Sequence, residues 1–487
     1  MTYHIFQSLF VFGITTGVAI SAVVQFLYYT FSGPSPDEVA FLPSPAIEAQ
    51  QDVPKSNSRA AIQRLEDQFY VSTVQLQDMV KLFVHDMQRG LKRENALIKM
   101  LPSYVTKRPT GNERGTYLAL DLGGTNFRVC EVTFATGQVR TKQRKFTVSD
   151  ELKTGPGHLL FDFFADCVAL FLDENGIPRD TNMKLGFTFS FPCHQEALNR
   201  GRLIRWTKGF TASGVVGEDV VKLLQDAFHR KGLSINVTAL VNDTVGTLIS
   251  HAYIDPLTQA GIILGTGSNA AYVERISEIK KWDGPKSASN EMVINMEWGN
   301  WGSDKIALPL TAYDLKVDRA SPNPGQQLYE KMISGMYLGE ITRYIMLDLI
   351  STGELFRGQR SVELEKPYNF DTANMSRIER DHTTDMSDTN MLLKTVYNID
   401  STLKDRRNLK QICQLVSTRA ARLAAVGISA IVTKTNRLNG ATVGIDGSVY
   451  EHYQHFGNHV KDALRELLGM VAQNVTLAQG EFLRCDG

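Results

Sequence analysis

Net charge is missing from this sequence. Its 52 Lys and Arg are matched by 52 Asp and Glu, so the chain as a whole carries no electrostatic footprint for nucleic acid, and none is expected as a partner. Cysteine is scarce. The five, Cys130, Cys167, Cys193, Cys413 and Cys485, are odd in number and scattered, which argues against a disulfide framework or a spaced zinc site and fits a reducing compartment. Small buried hydrophobes are the plain reading of most of them. No Gly-x4-Gly-Lys-Ser/Thr occurs, so nucleotide chemistry, if any, does not rest on a P-loop. What the chain does have is size and apolar matter. Its 487 residues, 43% of them hydrophobic, suffice for about three domains with large cores.

Charge is also missing locally. Residues 1–36 hold no Lys, Arg, Asp or Glu, and Ile5 to Phe31 is an unbroken, mostly apolar run. At ~1.5 Å per residue this run outreaches a hydrocarbon core of ~30 Å, so a tilted membrane helix is expected. A secretory signal is the rival reading, but its apolar region is usually about 7–15 residues behind a positive start. Here only Thr2, Tyr3 and His4 separate Met1 from the run. An uncleaved anchor over 1–32 is the expectation, and the membrane is the partner it implies. Pro34, Pro36, Pro43, Pro45 and Pro54 then deny helix and sheet ladders, so 33–64 is expected to be an extended linker. Beyond it, Thr73 is expected to cap a packing helix with Leu76, Met79, Val80, Phe83, Met87 and Leu91 on one face.

The stretch Thr116 to Arg128 is the organising one. Tyr117 to Leu122 reads as a buried strand, Gly123-Gly124 as a tight turn, and Phe127 to Phe134 as the returning strand of a hairpin. Such a turn presents backbone N–H groups to phosphate, and Asp121 at the strand end can hold Mg²⁺ directly or through water. Gly261 to Asn269 repeats the design, with an apolar strand running into Gly265-Thr266-Gly267. Two strand-to-glycine turns facing one nucleotide predict an α/β chain with the duplicated, actin-like (ribonuclease H-like) kinase fold and a central cleft. Thr442 to Ser448 makes a third such turn.

Other candidates sit at strand ends and in loops. The strand from Lys184 to Phe189 ends in Ser190, which lacks the Gly-x-Ser-x-Gly elbow of a nucleophile and so reads as a substrate hydrogen-bonding group. Arg205 to Phe210 places Thr207 and Lys208 between aromatics, which alone is only a loop. Asn242-Asp243 follows the strand Val237 to Val241. Its carboxylate is either placed to accept a proton or simply opens the next helix as a cap. Glu297 lies in an apolar stretch, where a carboxylate needs a donor partner, and the vicinal hydroxyls of a sugar are one candidate. Glu330 either faces the same cleft or is an ordinary acid in a helix's first turns. Gln411 to Thr433 is an Ala-rich core helix.

Taken together, residues from about 65 to 470 resemble the eukaryotic hexokinase family, in its fungal hexokinase or glucokinase form. The resemblance rests on Leu120-Asp-Leu-Gly-Gly-Thr-Asn-Phe-Arg-Val129, Gly186-Phe-Thr-Phe-Ser-Phe-Pro-Cys193, Arg205-Trp-Thr-Lys-Gly-Phe210, Val241-Asn-Asp-Thr-Val-Gly-Thr247, Gly265-Thr-Gly-Ser-Asn-Ala-Ala-Tyr272 and Val443-Gly-Ile-Asp-Gly-Ser-Val-Tyr450. It implies ATP-dependent phosphorylation of a hexose, glucose first among them, at the 6-hydroxyl, with ATP and Mg²⁺ as cofactors. It implies a small N-terminal domain at 65–250, with the leading helix, and a large C-terminal domain at 251–487. Asp243 is the implied base, and Lys208 binds sugar and steadies the transferring charge. Ser190, Thr207, Asn242, Asn269, Glu297 and Glu330 are the implied sugar ligands. Asp121, Gly123, Gly124, Thr125, Asn126, Arg128, Gly265, Thr266 and Gly267 face the phosphates, and Asp446, Gly447 and Ser448 lie beside the nucleoside.

Two departures follow from the resemblance. Trp301 stands where phenylalanine is usual after Glu297-Trp-Gly. After Leu477-Ala478 the family continues with a Gly-rich turn and a closing helix, whereas this chain reads Gln479 to Gly487 and stops. A shortened C-terminus is thus expected, and with it the alternative of a catalytically impaired, sugar-binding regulatory protein. With no Arg-rich amphipathic leader, the anchor is expected to hold the body on the cytosolic side of an outer mitochondrial or endoplasmic reticulum membrane.

Overall fold

The computed structural model describes residues 58–123, 126–135, 138–284 and 289–479. The expected anchor at 5–31, most of the linker, Gly124, Thr125 and the tail from 480 lie outside the described residues. Helices Ser58–Phe69 and Thr73–Lys92 come first, followed by β1 Leu101–Pro102, β2 Gly115–Leu122, β3 Asn126–Ala135, β4 Gln138–Thr147, β5 Met183–Phe189, β6 Cys193–Ala197, β7 Arg200–Leu203 and β8 Ile235–Val241. Helix Asp243–Ile254 then leads to β9 Thr258–Leu264, β10 Ser268–Arg275, β11 Glu291–Asn295, β12 Ala441–Asp446 and β13 Val475–Gln479. Helices fill the interval between β11 and β12, ending in the long Leu403–Lys434.

The strand orders display the duplication. One of the two larger sheets runs β4-β3-β2-β5-β8 and the other β1-β11-β10-β9-β12-β13, while β6 and β7 form a two-stranded sheet of their own. In the first, β2 pairs antiparallel with β3 and parallel with β5, and β5 continues parallel to β8. In the second, β9 pairs antiparallel with β10 and parallel with β12, and β12 continues parallel to β13. The two sheets therefore share one connection pattern, as expected of the actin-like α/β fold. Each glycine turn occupies the same place in its half, at the tip of the first hairpin.

The leading helices correct three expectations, the first being that helix Ser58–Phe69 begins inside the stretch 33–64 expected to be extended. Helix Thr73–Lys92 is capped by Ser72 rather than Thr73. Ser72 accepts from Gln75 N, and the Gln75 side chain accepts from Ser72 N, a reciprocal capping box. Its buried Leu76, Met79, Phe83, Met87 and Leu91 join the core behind the six-stranded sheet. In space, then, the leading helices belong with the C-terminal half, although the sequence reading grouped them with the N-terminal one. Periodicity reports that a face is buried and is silent about its partner.

β4 was not expected at all. It alternates Arg140, Lys142 and Arg144 with other polar residues, so it carries no apolar signature. It is an edge strand, where cations discourage pairing with other chains.

Helix Leu403–Lys434 threads the larger core, with Gly427 at its most crowded point. A β-carbon there would come within 2.6 Å of the Trp298 ring and 2.8 Å of the Tyr329 hydroxyl. This close approach seats an aromatic cluster of Phe83, Trp298, Trp301 and Tyr329, with centroids 4.5–6.2 Å apart. Such pairs are worth about 0.5–1.5 kcal/mol each beyond the area they bury. Trp301 is fully buried, and its Nε1 donates to Asp86 Oδ2 at 3.1 Å, so the larger ring in place of phenylalanine brings its own polar partner. The cluster lies directly behind Glu297.

Candidate functional site

The carboxyl ends of β2, β5, β8, β9 and β12 carry the candidate residues. At the β2–β3 tip, Gly123 N donates to Asn126 O at 3.0 Å and closes the turn. Asp121 and Arg128 face each other in register across this hairpin, and their side chains pair at 3.6 Å. At the β9–β10 tip, Gly265 N donates to Gly267 O at 3.0 Å. Gly267 needs to be glycine, because a β-carbon would stand 2.8 Å from Glu330 Oε2. That oxygen accepts from Ser268 N at 2.9 Å, so the turn and the acid are built against each other. After β12, Gly447 adopts φ +117°, and a β-carbon there would strike Leu264 and Gly265 from 2.6 Å. The second and third glycine turns thus lie backbone to backbone, and only glycine permits it.

Amides and acids converge beside these turns. Asn242 caps helix Asp243–Ile254, accepting from Thr244 N at 3.0 Å and Thr244 Oγ1 at 2.7 Å. Asp243 is the first residue of that helix, and its Oδ1 accepts from Thr244 N at 2.9 Å. Helix opening and a cleft carboxylate are therefore one arrangement, not alternatives. Asn269 Nδ2 lies 2.8 Å from Asn295 Oδ1, 3.3 Å from Asn242 Oδ1 and 3.4 Å from Glu297 Oε1. Asn295 Nδ2 donates to Glu297 Oε1 at 2.9 Å. The donor that a carboxylate in this apolar stretch requires is thus an asparagine two residues upstream.

Opposite stand the loop residues of the five-stranded side. Lys208 Nζ donates to Ser190 O at 2.9 Å and lies over the Phe191 ring. Ser190 is buried, and its N–H reaches Leu122 O at the end of β2. Thr207 is half-buried, and its carbonyl accepts from Phe210 N. Lys208 at φ +56° and Glu297 at φ +52° both hold left-handed backbone, a conformation that costs of order 1–3 kcal/mol and collects at functional sites.

The electrostatics tie the cluster together. Burial raises the pKa of Asp121, opposed by the Arg128 and Lys208 cations and reinforced by Asp243. Burial likewise raises Glu297, opposed first by the Asn295 hydrogen bond and then by Lys208 and Arg205, while Asp243 adds to the rise. Glu330 is raised by burial and lowered by the Ser268 N–H and Lys208. One ammonium therefore acts on Asp121, Glu297 and Glu330 at once. That arrangement suits a negatively charged group arriving among them.

Most of the expected residues meet here. Gly124 and Thr125 lie outside the described residues. Asp446 has its carboxylate engaged by Thr247 Oγ1 at 2.8 Å and His251 Nε2 at 3.5 Å on the helix behind the turn. Sequence reasoning missed Asn295, although a polar residue inside Met292-Val-Ile-Asn-Met was a usable signal. It also missed the 2.9 Å bond from Arg205 to Gln326, which joins the Lys208 loop to the loop before Glu330.

Comparison with known proteins places these features. Two family models, both described as Hexokinase, match residues 61–253 and 259–481. Hexokinase-1 of Schizosaccharomyces pombe is 41% identical over 413 residues, spanning 84% of this chain and 85% of its own. The Kluyveromyces lactis hexokinase is 42% identical over 424 residues, spanning 85% and 87%. The solved hexokinase from Schistosoma mansoni complexed with glucose superposes with a TM-score of 0.81 at 39% identity, over 87% of this chain and 96% of that one.

Proposed function

Because the chain belongs to the hexokinase family, an ATP:hexose phosphotransferase of glycolysis, we infer that the cleft described above transfers phosphate to the 6-hydroxyl of glucose, with Asp243 as the proton acceptor. The observation that carries this is the set Asn242, Asn269, Asn295 and Glu297, hydrogen-bonded into one array beside Asp243.

The array divides the work. Amides and carboxylates fixed by one another present donors and acceptors at set positions, which suits a polyhydroxylated ring and rejects analogues that leave a buried group unpaired. Asp243 spends Oδ1 on Thr244 N–H, and Oδ2 is the oxygen available to the acceptor's proton. A positioned base of this kind contributes about 10²–10⁴-fold. Lys208 offsets negative charge on Glu297 and Glu330. The Arg205–Gln326 bond supports closure of the two sheet-bearing halves as domains around the sugar, which keeps water from competing for the phosphate.

Magnesium and ATP fit the glycine turns beside this array. The Gly265 to Gly267 and Gly447 turns lie backbone to backbone at the strand ends, and Asp121 offers a single carboxylate near the tip of the first hairpin. Among the described residues no group of three His, Cys, Asp or Glu could form a metal cage, which suits a dication held mainly by phosphate oxygens and water. Asp121, Arg128, Gly265 to Gly267 and Gly447-Ser448 would hold Mg·ATP, which supplies the transferable phosphoryl group with its charge neutralised.

Asp243→Asn tests this reading. ADP release in the presence of glucose is expected to fall at least about 10²-fold, with glucose affinity by calorimetry changed little. Undiminished turnover would overturn it. The uncharged run Ile5 to Phe31 supports a further part of the reading, that the body is tethered to a membrane and faces the cytosol. Full-length protein should sediment with membranes and residues 33–487 should not. Equal partition of the two forms would refute the tether.

A further inference from the structure

Helix Asp243–Ile254 does more than present Asp243 at its first residue. One and two turns further on, Thr247 and His251 lie on a single face, both buried. Both point at Asp446, the last residue of β12, through Thr247 Oγ1 to Oδ2 at 2.8 Å and His251 Nε2 to Oδ1 at 3.5 Å. The next residue is Gly447, whose backbone abuts Leu264 and Gly265. The fit between helix and sheet leaves no slack. A β-carbon on Gly444 would run into the His251 ring, and one on Gly261 would strike the Leu248 and Thr244 backbone.

We propose that Thr247 and His251 are positioning residues for the nucleotide half of the reaction, acting through Asp446 to fix the Gly447 turn against Gly265 while Asp243 is fixed on the same helix. Neither side chain lies in the array that faces the sugar. The inference follows from the geometry of one rigid element. Its N-terminus carries the proton acceptor, and its flank grips the strand end that leads into the Gly447 turn. Loss of either grip loosens the turn while the contacts among Asn242, Asn269, Asn295 and Glu297 stay in place. The proposal rests on the reading of the cleft as a glucose and Mg·ATP site.

Thr247→Val removes the hydroxyl at constant volume, and His251→Phe keeps a ring against Gly444 while removing the nitrogen. Both are expected to lower kcat/KM for ATP about tenfold or more, the usual scale for a hydrogen bond to a charged group. KM for ATP should rise, glucose affinity by calorimetry should stay within about twofold, and Thr247→Ser should restore the wild-type values. Melting temperatures are read alongside. Unchanged ATP kinetics, or equal losses toward ATP and glucose that track the melting temperature and are not restored by Thr247→Ser, would overturn the proposal. Calorimetric ADP affinity is measured for every variant, so the proposal is decided even if the wild type releases no ADP with glucose. That last result would count against the catalytic reading alone.

Discussion

Glu379 lies outside the cleft, yet its burial gives the sharpest quantitative prediction in the molecule. It is 2% exposed, on helix Thr372–Arg380, and its Oε1 accepts from Ser417 on the long core helix and from Tyr453 just beyond helix Ser448–His452. Burial pushes its pKa from 4.5 up to about 7, against the pull of Tyr453, Ser417 and the Lys410 charge. Over the window between those two values the folded protein keeps a proton that the unfolded chain has released. Folding stability from this group therefore falls as pH rises through the window and stays low above it. The shift corresponds to about 3 kcal/mol at its full extent. Glu379→Gln keeps an oxygen able to accept both hydrogen bonds but carries no charge to desolvate. It is expected to match wild type near pH 4, below the window, and to exceed it by up to about 3 kcal/mol near pH 8. Urea unfolding of both proteins at intervals across that range measures the difference. A variant whose advantage does not grow with pH, or which is less stable near pH 8, would refute the assignment of a raised carboxyl at this place.

Further outcomes follow from other contacts. Gly267→Ala forces Glu330 away from Ser268 N–H, because the new carbon would stand 2.8 Å from its oxygen. Glucose affinity is expected to weaken about tenfold or more by calorimetry, and an unchanged affinity would remove Glu330 from the sugar site. Asp314→Ala strips the buried Arg419 of its bidentate partner, now held at 2.7 and 2.8 Å. Stability should drop by about 3–5 kcal/mol in urea unfolding, and a loss below about 1 kcal/mol would show that the guanidinium finds another partner.

The hairpins and their glycine tips were legible because two signals coincide there, an apolar strand pattern and residues that only a tight turn requires. Asp243, Lys208, Asn269, Glu297 and Glu330 could be nominated from their motifs, each with a duller reading beside it. The structure adds the relation among them. Asn269 touches Asn242, Asn295 and Glu297, a convergence of three distant segments that no local window contains. The same limit explains why Thr247 and His251 passed unnoticed, since their partner Asp446 lies 199 and 195 residues away. β4 was silent for the opposite reason, as an edge strand polar from Arg140 to Lys145 lacks the alternation by which strands are recognised. Ser72 in place of Thr73 as the cap is a one-residue slip between two residues with the same chemistry.

The chain crosses between its two sheets twice, after β1 and again through Asn242 into helix Asp243–Ile254. That helix is seated on Gly261 with no room for a side chain between, so it travels with the six-stranded half. A panel pinned to its frame at two points swings but does not slide. Asp243, Asn269 and Glu297 ride on the frame, whereas Asp121, Ser190 and Lys208 ride on the panel. On the reading proposed above, the proton acceptor therefore keeps its place beside Asn269 and Glu297 however the two halves close, and Ser190 and Lys208 are the groups that have to arrive.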